Sequence, residues 1–428
     1  MASHADLPPP SAPSPGSAER PLSVLVLATT FPARAGDGTP EFVLTLSSAL
    51  AAHGAQVTAI VPRVPRGARQ ELIDGVRVQR FAYFPRRFEG LANGAIMPNL
   101  RAHRWRWLEA GPLAIAFMLA TARQVRRERP DVIHAHWIVP AGLVAWVLRR
   151  TTGVPYVVTA HGADAYTLRG GATRRLKRAV LRRASATIPV SAAIGEQLRQ
   201  IGPVSPAIPM GIDVARIATE VGQRRPEPGR VLFVGRLADK KGVDILIQAA
   251  ARVRPVSVVV IGDGPTRAGL EALANRIGMT DRVRFLGALP RQGVMDEFAR
   301  AAAAAIPSRV AADGDQDGVP VVLGEAMAAG VPVVATDLGG LGEYVSDGEN
   351  ARVVAPGSVD ELAAALDDLV KHPDAAEALA RCASARLADT LDLGHISAQY
   401  FRVLLDAADA GPGRAYGSDR VSRGPEQP

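Results

Sequence analysis

Asp313 to Gly340 reads DGDQDGVPVVLGEAMAAGVPVVATDLGG, and the order of signals in it decides the fold class. An acidic loop comes first, then an apolar helix expected to stop at Ala328 to Gly330, then a short apolar strand PVVAT running into a Gly-Gly turn. Continuous apolar strands that alternate with helices belong to parallel sheets covered on both faces. Asp317 in the loop and Glu325 inside the helix lie eight positions apart, a spacing that can hold two ends of one extended polyol. Gly324 stands inside the helical pattern where it costs about 1 kcal/mol of helix propensity, so close packing is expected there. Pro320 lacks an N–H, so an anion at this helix start must find its amide donors at neighbouring residues.

Working outward, both halves of the chain repeat a strand-helix-strand pattern. SVLVLATTFP opens a buried strand from Ser23 to Ala28, followed by the loop GDGTPEF, a helix ending at Gly54 and the strand QVTAIVP. Gly36 and Gly38 lie at that strand-to-helix turn, where free backbone N–H groups and the helix N-terminus favour an anion. Further strands are DVIHAHW and PYVVTAHGADAY, with His161 at the carboxyl end of the second, where open α/β sheets hold their ligands. Asp164 is either part of that site or a cap for the next helix. After a Pro/Gly-rich stretch from Thr219 to Gly229, read as a linker, the pattern restarts with RVLFVGRL, VSVVVIGDG and VRFLGAL. In VGRLADKKG, Arg236 at a strand end and Lys241 before a helix are two cations that can clamp a diphosphate. Lys240 reads as a solvated neighbour.

Three of these segments, TAHGAD, GRLADKKG and DGVPVVLGEAMAAG, resemble the family 4 retaining glycosyltransferases. The resemblance runs from Ser23 to Asp409 and implies the GT-B fold, in which two Rossmann-like domains face each other across a cleft. It implies an acceptor domain at 22–205, a donor domain at 206–393 and a helix crossing back to the first domain at 394–410, while the Pro-, Ser-, Ala- and Gly-rich ends at 1–21 and 411–428 read as a disordered leader and tail. It further implies transfer of a hexosyl unit from a nucleotide-diphosphate sugar. Arg236 and Lys241 would stabilise the diphosphate, Gly38 would approach the donor, and Glu325 would hold the ribose. Asp317 and His161 would position the sugar. Asp317 stands where the family usually has Glu, one methylene longer, which shifts its contact with the sugar. Glu343, in GGLGEYV, follows the family pattern as a support of the cleft or as a structural residue. A nucleotide-sugar epimerase and a silent nucleotide-sugar binding protein would use the same cleft, and both readings stay open.

Composition agrees with a two-domain enzyme: 428 residues with 47% apolar content suffice for two buried cores. The lone Cys382 allows no intrachain disulfide and is expected to be a buried structural thiol in an Ala-rich helix. Through Ser205 the chain has 26 Lys and Arg against 12 Asp and Glu, a net of +14, and the remainder has 24 against 30, a net of −6. The basic half suits a pyrophosphate-bearing or lipid-linked saccharide acceptor or an anionic membrane surface, or it is an Arg-rich solvated face. PRRFEGLANGAIMPNLRAHRWRWLEAGPLAIAFMLATARQVRRERP is either an interfacial element on anionic lipid or an amphipathic core helix with snorkelling arginines. Seven basic residues between Arg169 and Arg183 accompany no nucleic-acid-binding module, so no nucleic-acid partner is expected. The H-x-H pair His134/His136 invites a metal, but no Cys or carboxylate at ligand spacing completes a site; the D-x-D pairs Asp313/Asp315 and Asp315/Asp317 invite one too, but such short acidic matches arise easily, and two Rossmann-like halves with a cationic clamp argue for metal-free chemistry without a cofactor. The Pro/Ser/Ala-rich start has no apolar signal core, and no stretch reaches the ~20 apolar residues of a membrane span. A cytoplasmic protein, peripheral on the membrane at most, is expected.

Overall fold

The computed structural model describes residues 20–410 apart from 35–40, 66, 95, 97–98, 101–102, 168–169, 313 and 339. Gly36, Gly38 and Asp313 lie outside the described residues.

The first sheet is built from β1 (Ser23–Leu27), β2 (Gln56–Pro62), β3 (Gln70–Ile73), β4 (Val76–Phe81), β5 (Val132–His136), β6 (Tyr156–Ala160) and β7 (Ala186–Pro189). Its order is β3-β4-β2-β1-β5-β6-β7, all parallel except the edge strand β3. The central strands are apolar on both faces because helices cover both, and Val24, Val26, Leu25 and Leu27 are all buried. Helix α1 (Phe42–Ala52) covers one face; α2 (Trp107–Glu128) and α3 (Leu143–Thr152) cover the other.

Helix α2 is an amphipathic helix of the core that also leaves apolar side chains exposed. Leu113, Phe117, Thr121 and Val125, spaced by four, point into the core. The opposite side leaves Trp107 (58%), Leu108 (70%), Ile115 (63%) and Leu119 (60%) exposed beside arginines. Among the described residues no helix is long and apolar enough to cross a membrane.

The second sheet comprises β8 (Arg230–Val234), β9 (Ser257–Ile261), β10 (Val283–Gly287), β11 (Ala303–Ile306), β12 (Val333–Thr336) and β13 (Arg352–Val354), in the order β10-β9-β8-β11-β12-β13 and parallel throughout. Between β12 and the acidic loop lies α11 (Val321–Ala328), preceded by Pro320 and closed by Gly330 at φ +67°. The stretch expected to be a linker is partly helical, because α7 (Val214–Val221) runs through Thr219 and is capped by Asp213.

The chain passes between the domains at two places that are bonded to each other. Ile212 donates to the Leu391 carbonyl at 2.8 Å and accepts from Leu393 N–H at 3.0 Å. The helix that follows, α14 (Leu393–Asp409), packs on α1 and adds Ile396, Tyr400, Val403 and Leu404 to the core of the first domain. Cys382 departs from expectation: it is exposed, since the helix carrying it (Pro373–Thr390) buries Ala380 and Ala383 on the other side.

Candidate active site

Strand β6 ends at Ala160, and His161 begins a short helix (Gly162–Tyr166) at its carboxyl end. The ring of His161 is buried, with Nε2 at 3.2 Å from Nδ1 of His136 and the Trp137 ring 4.8 Å away. Burial, then the neighbouring His134, lowers its pKa to about 3, so at neutral pH it is an uncharged hydrogen-bonding group. Asp164 resolves as the structural partner of this loop: it accepts from the His161 N–H at 3.0 Å and the Ile138 N–H at 2.9 Å. The buried Lys177 donates to the carbonyls of Asp164 (2.6 Å) and Thr167 (2.9 Å), holding the loop from below.

Facing this loop is the acidic loop of the second domain. A Cβ on Gly162 would stand 3.2 Å from the Gly318 nitrogen, so the two backbones approach closely beside Asp317. Asp317 is clamped in turn: Lys241 Nζ lies 2.7 Å from Oδ2 and Lys240 Nζ 3.4 Å from Oδ1, and the Ser308 hydroxyl donates to Oδ2 at 3.0 Å. Burial pushes its pKa up, but Lys241, Lys240 and these hydrogen bonds outweigh burial and hold it below the usual carboxylate range. Lys240 is therefore no solvated neighbour, since it also binds Asp315 at 3.2 Å.

Arg236 follows β8 at a place where the backbone is tightly packed, because a Cβ on Gly262 would fall 1.9 Å from the Gly235 carbonyl oxygen. The turn from Gly262 to Pro265 thus leans on the segment that carries Arg236, as a pocket wall would. Burial lowers the pKa of Arg236.

Glu325 lies inside α11, and its charge is tied to a residue that sequence reasoning did not single out. Arg291 Nη1 is 3.8 Å from Glu325 Oε1 and 3.9 Å from Oε2 of Glu41, which precedes α1 in the first domain. Its Nε donates to Glu220 of α7 at 2.6 Å. Burial raises the pKa of Glu325; Arg291 opposes the rise, and Glu41 and Glu220 add to it. A single Arg at a helix start carries no sequence signal of this role. Glu343 spans the domains as well, accepting from the Ala192 N–H at 3.1 Å.

The structure thus brings His161, Asp317 and Lys241 to the facing loops of the two sheets, with Arg236 on the same loop layer and Glu325 on the helix behind. That arrangement of two Rossmann-like domains defines a GT-B glycosyltransferase. Among solved structures, it is similar to sucrose-phosphate synthase from Thermosynechococcus elongatus, with a TM-score of 0.71 and 21% identity, covering 91% of this chain and 100% of the other. It is also similar to Anabaena HepE in complex with UDP-glucose, with a TM-score of 0.66 and 21% identity, covering 90% and 100%. Residues 217–386 match the description Glycosyl transferases group 1, and residues 36–216 match Glycosyltransferase Family 4. Glycogen synthase of Mycobacterium tuberculosis is 31% identical over 409 residues, 90% of this chain and 95% of the relative. D-inositol 3-phosphate glycosyltransferase of Mycobacterium avium is 30% identical, over 86% of this chain and 90% of the relative. The chain belongs to the group 1 glycosyltransferases of the GT-B fold, enzymes that use a nucleotide sugar.

Proposed function

We propose that this enzyme is a retaining hexosyltransferase that moves a hexosyl unit from a nucleotide-diphosphate sugar to a saccharide acceptor, without a metal. The carrying observation is the convergence of Lys241 and Asp317 opposite the His161 loop. Lys241 has three N–H donors and gives one to Asp317, which leaves two for a diphosphate held with Arg236. These cations would stabilise the charge that develops on the leaving diphosphate. Asp317 and His161 would hold the sugar, Glu325 the ribose, and the Gly38 turn would approach the donor phosphates. With a pKa of about 3, His161 is too weak a base to take the acceptor proton, which favours a diphosphate oxygen as the group that takes it. Pairing of Asp315 and Asp317 with lysines supports charge neutralisation by the protein rather than by a divalent ion.

The acceptor belongs, in this proposal, to the basic first domain. The exposed apolar side of α2, flanked by Arg104, Arg123 and Arg126, supports a lipid-linked saccharide used in envelope or exopolysaccharide synthesis, reached from the cytoplasmic face of an anionic membrane. The HepE complex with UDP-glucose makes UDP the first probe. Calorimetry in EDTA should show UDP or GDP binding to the wild type, weakened ~10-fold to 100-fold in Arg236→Ala and Lys241→Ala as a charge-assisted hydrogen bond of about 1.5 to 3 kcal/mol is lost. Binding that needs a divalent ion would overturn the metal-free reading. Release of an altered free nucleotide sugar without an acceptor would make the enzyme an epimerase, and binding without turnover would leave a silent binding protein.

A further inference from the structure

Arg291 stands at the start of α10 (Arg291–Arg300), and its guanidinium meets carboxylates from three other places in the fold. Glu220 takes Nε at 2.6 Å and is itself shared with Arg216 Nε at 2.7 Å. Nη1 lies between Glu41 of the first domain (3.9 Å) and Glu325 of the second (3.8 Å). Among the described residues Arg291 is the only cation within 4.0 Å of Glu325. The charged groups facing Glu325 are therefore Arg291, Glu41 and Glu220, with Arg216 behind Glu220. Two carboxylates and burial push Glu325 toward its protonated form, and Arg291 alone pulls the other way. The distinction matters chemically. An ionised carboxylate offers two acceptor oxygens to a pair of vicinal hydroxyls, whereas a protonated one carries a hydrogen on one of them.

We propose that Arg291 is a positioning residue of the donor site: it keeps Glu325 as a charged, two-acceptor group for the ribose hydroxyls and, through Glu41, links that carboxylate to the first domain. The inference rests on the reading of Glu325 as the ribose ligand. Arg291 does not touch the nucleotide in this scheme. Its substitution should therefore hurt only nucleotides that have both ribose hydroxyls.

The test is calorimetric titration with UDP and with 2′,3′-dideoxy-UDP, from pH 5.5 to 8, on the wild type, Arg291→Gln, Arg291→Lys, Glu41→Gln and Glu325→Ala. GDP and its dideoxy analogue replace them if GDP binds tighter. Arg291→Gln is expected to move the acid limb of UDP affinity up by about one pH unit, which weakens UDP by up to roughly tenfold at the acid end of the range and much less at pH 8. Its affinity for the dideoxy nucleotide should stay at the wild-type value. Arg291→Lys, which keeps the charge, should leave the limb near its wild-type position. Glu41→Gln should move it the opposite way, to lower pH. An equal loss for both nucleotides in Arg291→Gln would overturn the proposal, because Arg291 would then contact phosphate or base or only support the fold. An unmoved acid limb in Arg291→Gln would overturn it as well. If Glu325→Ala loses the preference for UDP while Arg291→Gln keeps the wild-type profile, only the role of Arg291 fails. If the wild type itself binds both nucleotides equally, the ribose reading of Glu325 fails and takes this inference with it.

Discussion

Replacing Gly324 by Ala should destabilise the protein, although Gly→Ala in a helix normally does the reverse. A Cβ built at Gly324 stands 2.5 Å from Ile212 Cγ1 and 2.9 Å from its Cδ1, about 1 Å inside ordinary contact. Ile212 cannot easily yield: it is buried, and its backbone holds both passages of the chain between the domains by bonds to Leu391 and Leu393. Overpacking of this kind costs about 1 to 3 kcal/mol, while Ala in place of Gly returns about 1 kcal/mol of helix propensity. The net is a loss of about 1 kcal/mol, which lowers the melting temperature of a domain of this size by roughly 2 to 4 °C. Since α11 also carries Glu325, nucleotide affinity should fall with it. The assay is differential scanning fluorimetry with and without UDP, on Gly324→Ala, Ile212→Ala and the double variant. The double variant should be less damaged than the sum of the singles, because the shortened Ile212 leaves room for the new methyl. A rise of several degrees in Gly324→Ala would refute the reasoning, since it would mean that the site behaves as an open helical position.

Two further outcomes follow from burial. His134 and His161 are lowered to about 3 by burial, and His136 is driven well down by burial and by its two histidine neighbours, so between about pH 3 and 6.5 the unfolded chain binds more protons there and stability rises with pH. Asp164 works against this, because burial raises it to about 6 and the folded state binds the extra proton between about pH 4 and 6. At pH 5 one such histidine costs about 2 kcal/mol and the aspartate returns about 1 kcal/mol, so three histidines win. Melting followed by tryptophan fluorescence should show a clear loss of stability from pH 7 to pH 5, and a flat profile would contradict the burial of this cluster. Cys382, exposed on its helix, should react with a thiol reagent in the native protein to one equivalent, with nucleotide binding retained. An unreactive thiol would restore the buried reading.

Continuous apolar runs made most of the two sheets legible. QVTAIVP became β2 over the same residues, and PVVAT gave β12 because a buried parallel strand suits such a run between helix and Gly-Gly turn. Other elements left no such trace. β11 is written AAAI, letters that favour helix, and it is a strand only because β8 and β12 pair with it on either side. The end of helix α7, Thr219 to Val221, hid in a stretch whose Pro and Gly residues read as linker. The exposure of Cys382 was illegible for a related reason: alanine does not mark which side of a helix faces the core. At the site, residues inside a distinctive motif, such as Lys241 and Asp317, were found. Lys240 and Arg291 were not, because what matters for them is which carboxylate lies across a gap, and chain spacing does not carry that.

The placement of α14 has a consequence for synthesis. Its Tyr400 and Leu404 are fully buried against a domain whose other strands were all translated more than two hundred residues earlier. While the second half of the chain is still on the ribosome, the first domain has a sheet face and an α1 flank with no cover. It acquires the cover of α14 only after the strands of the second domain have been made. A nascent chain stalled before Leu393 should therefore present an apolar slot that chaperones can bind, and α14 closes that slot once it has been made.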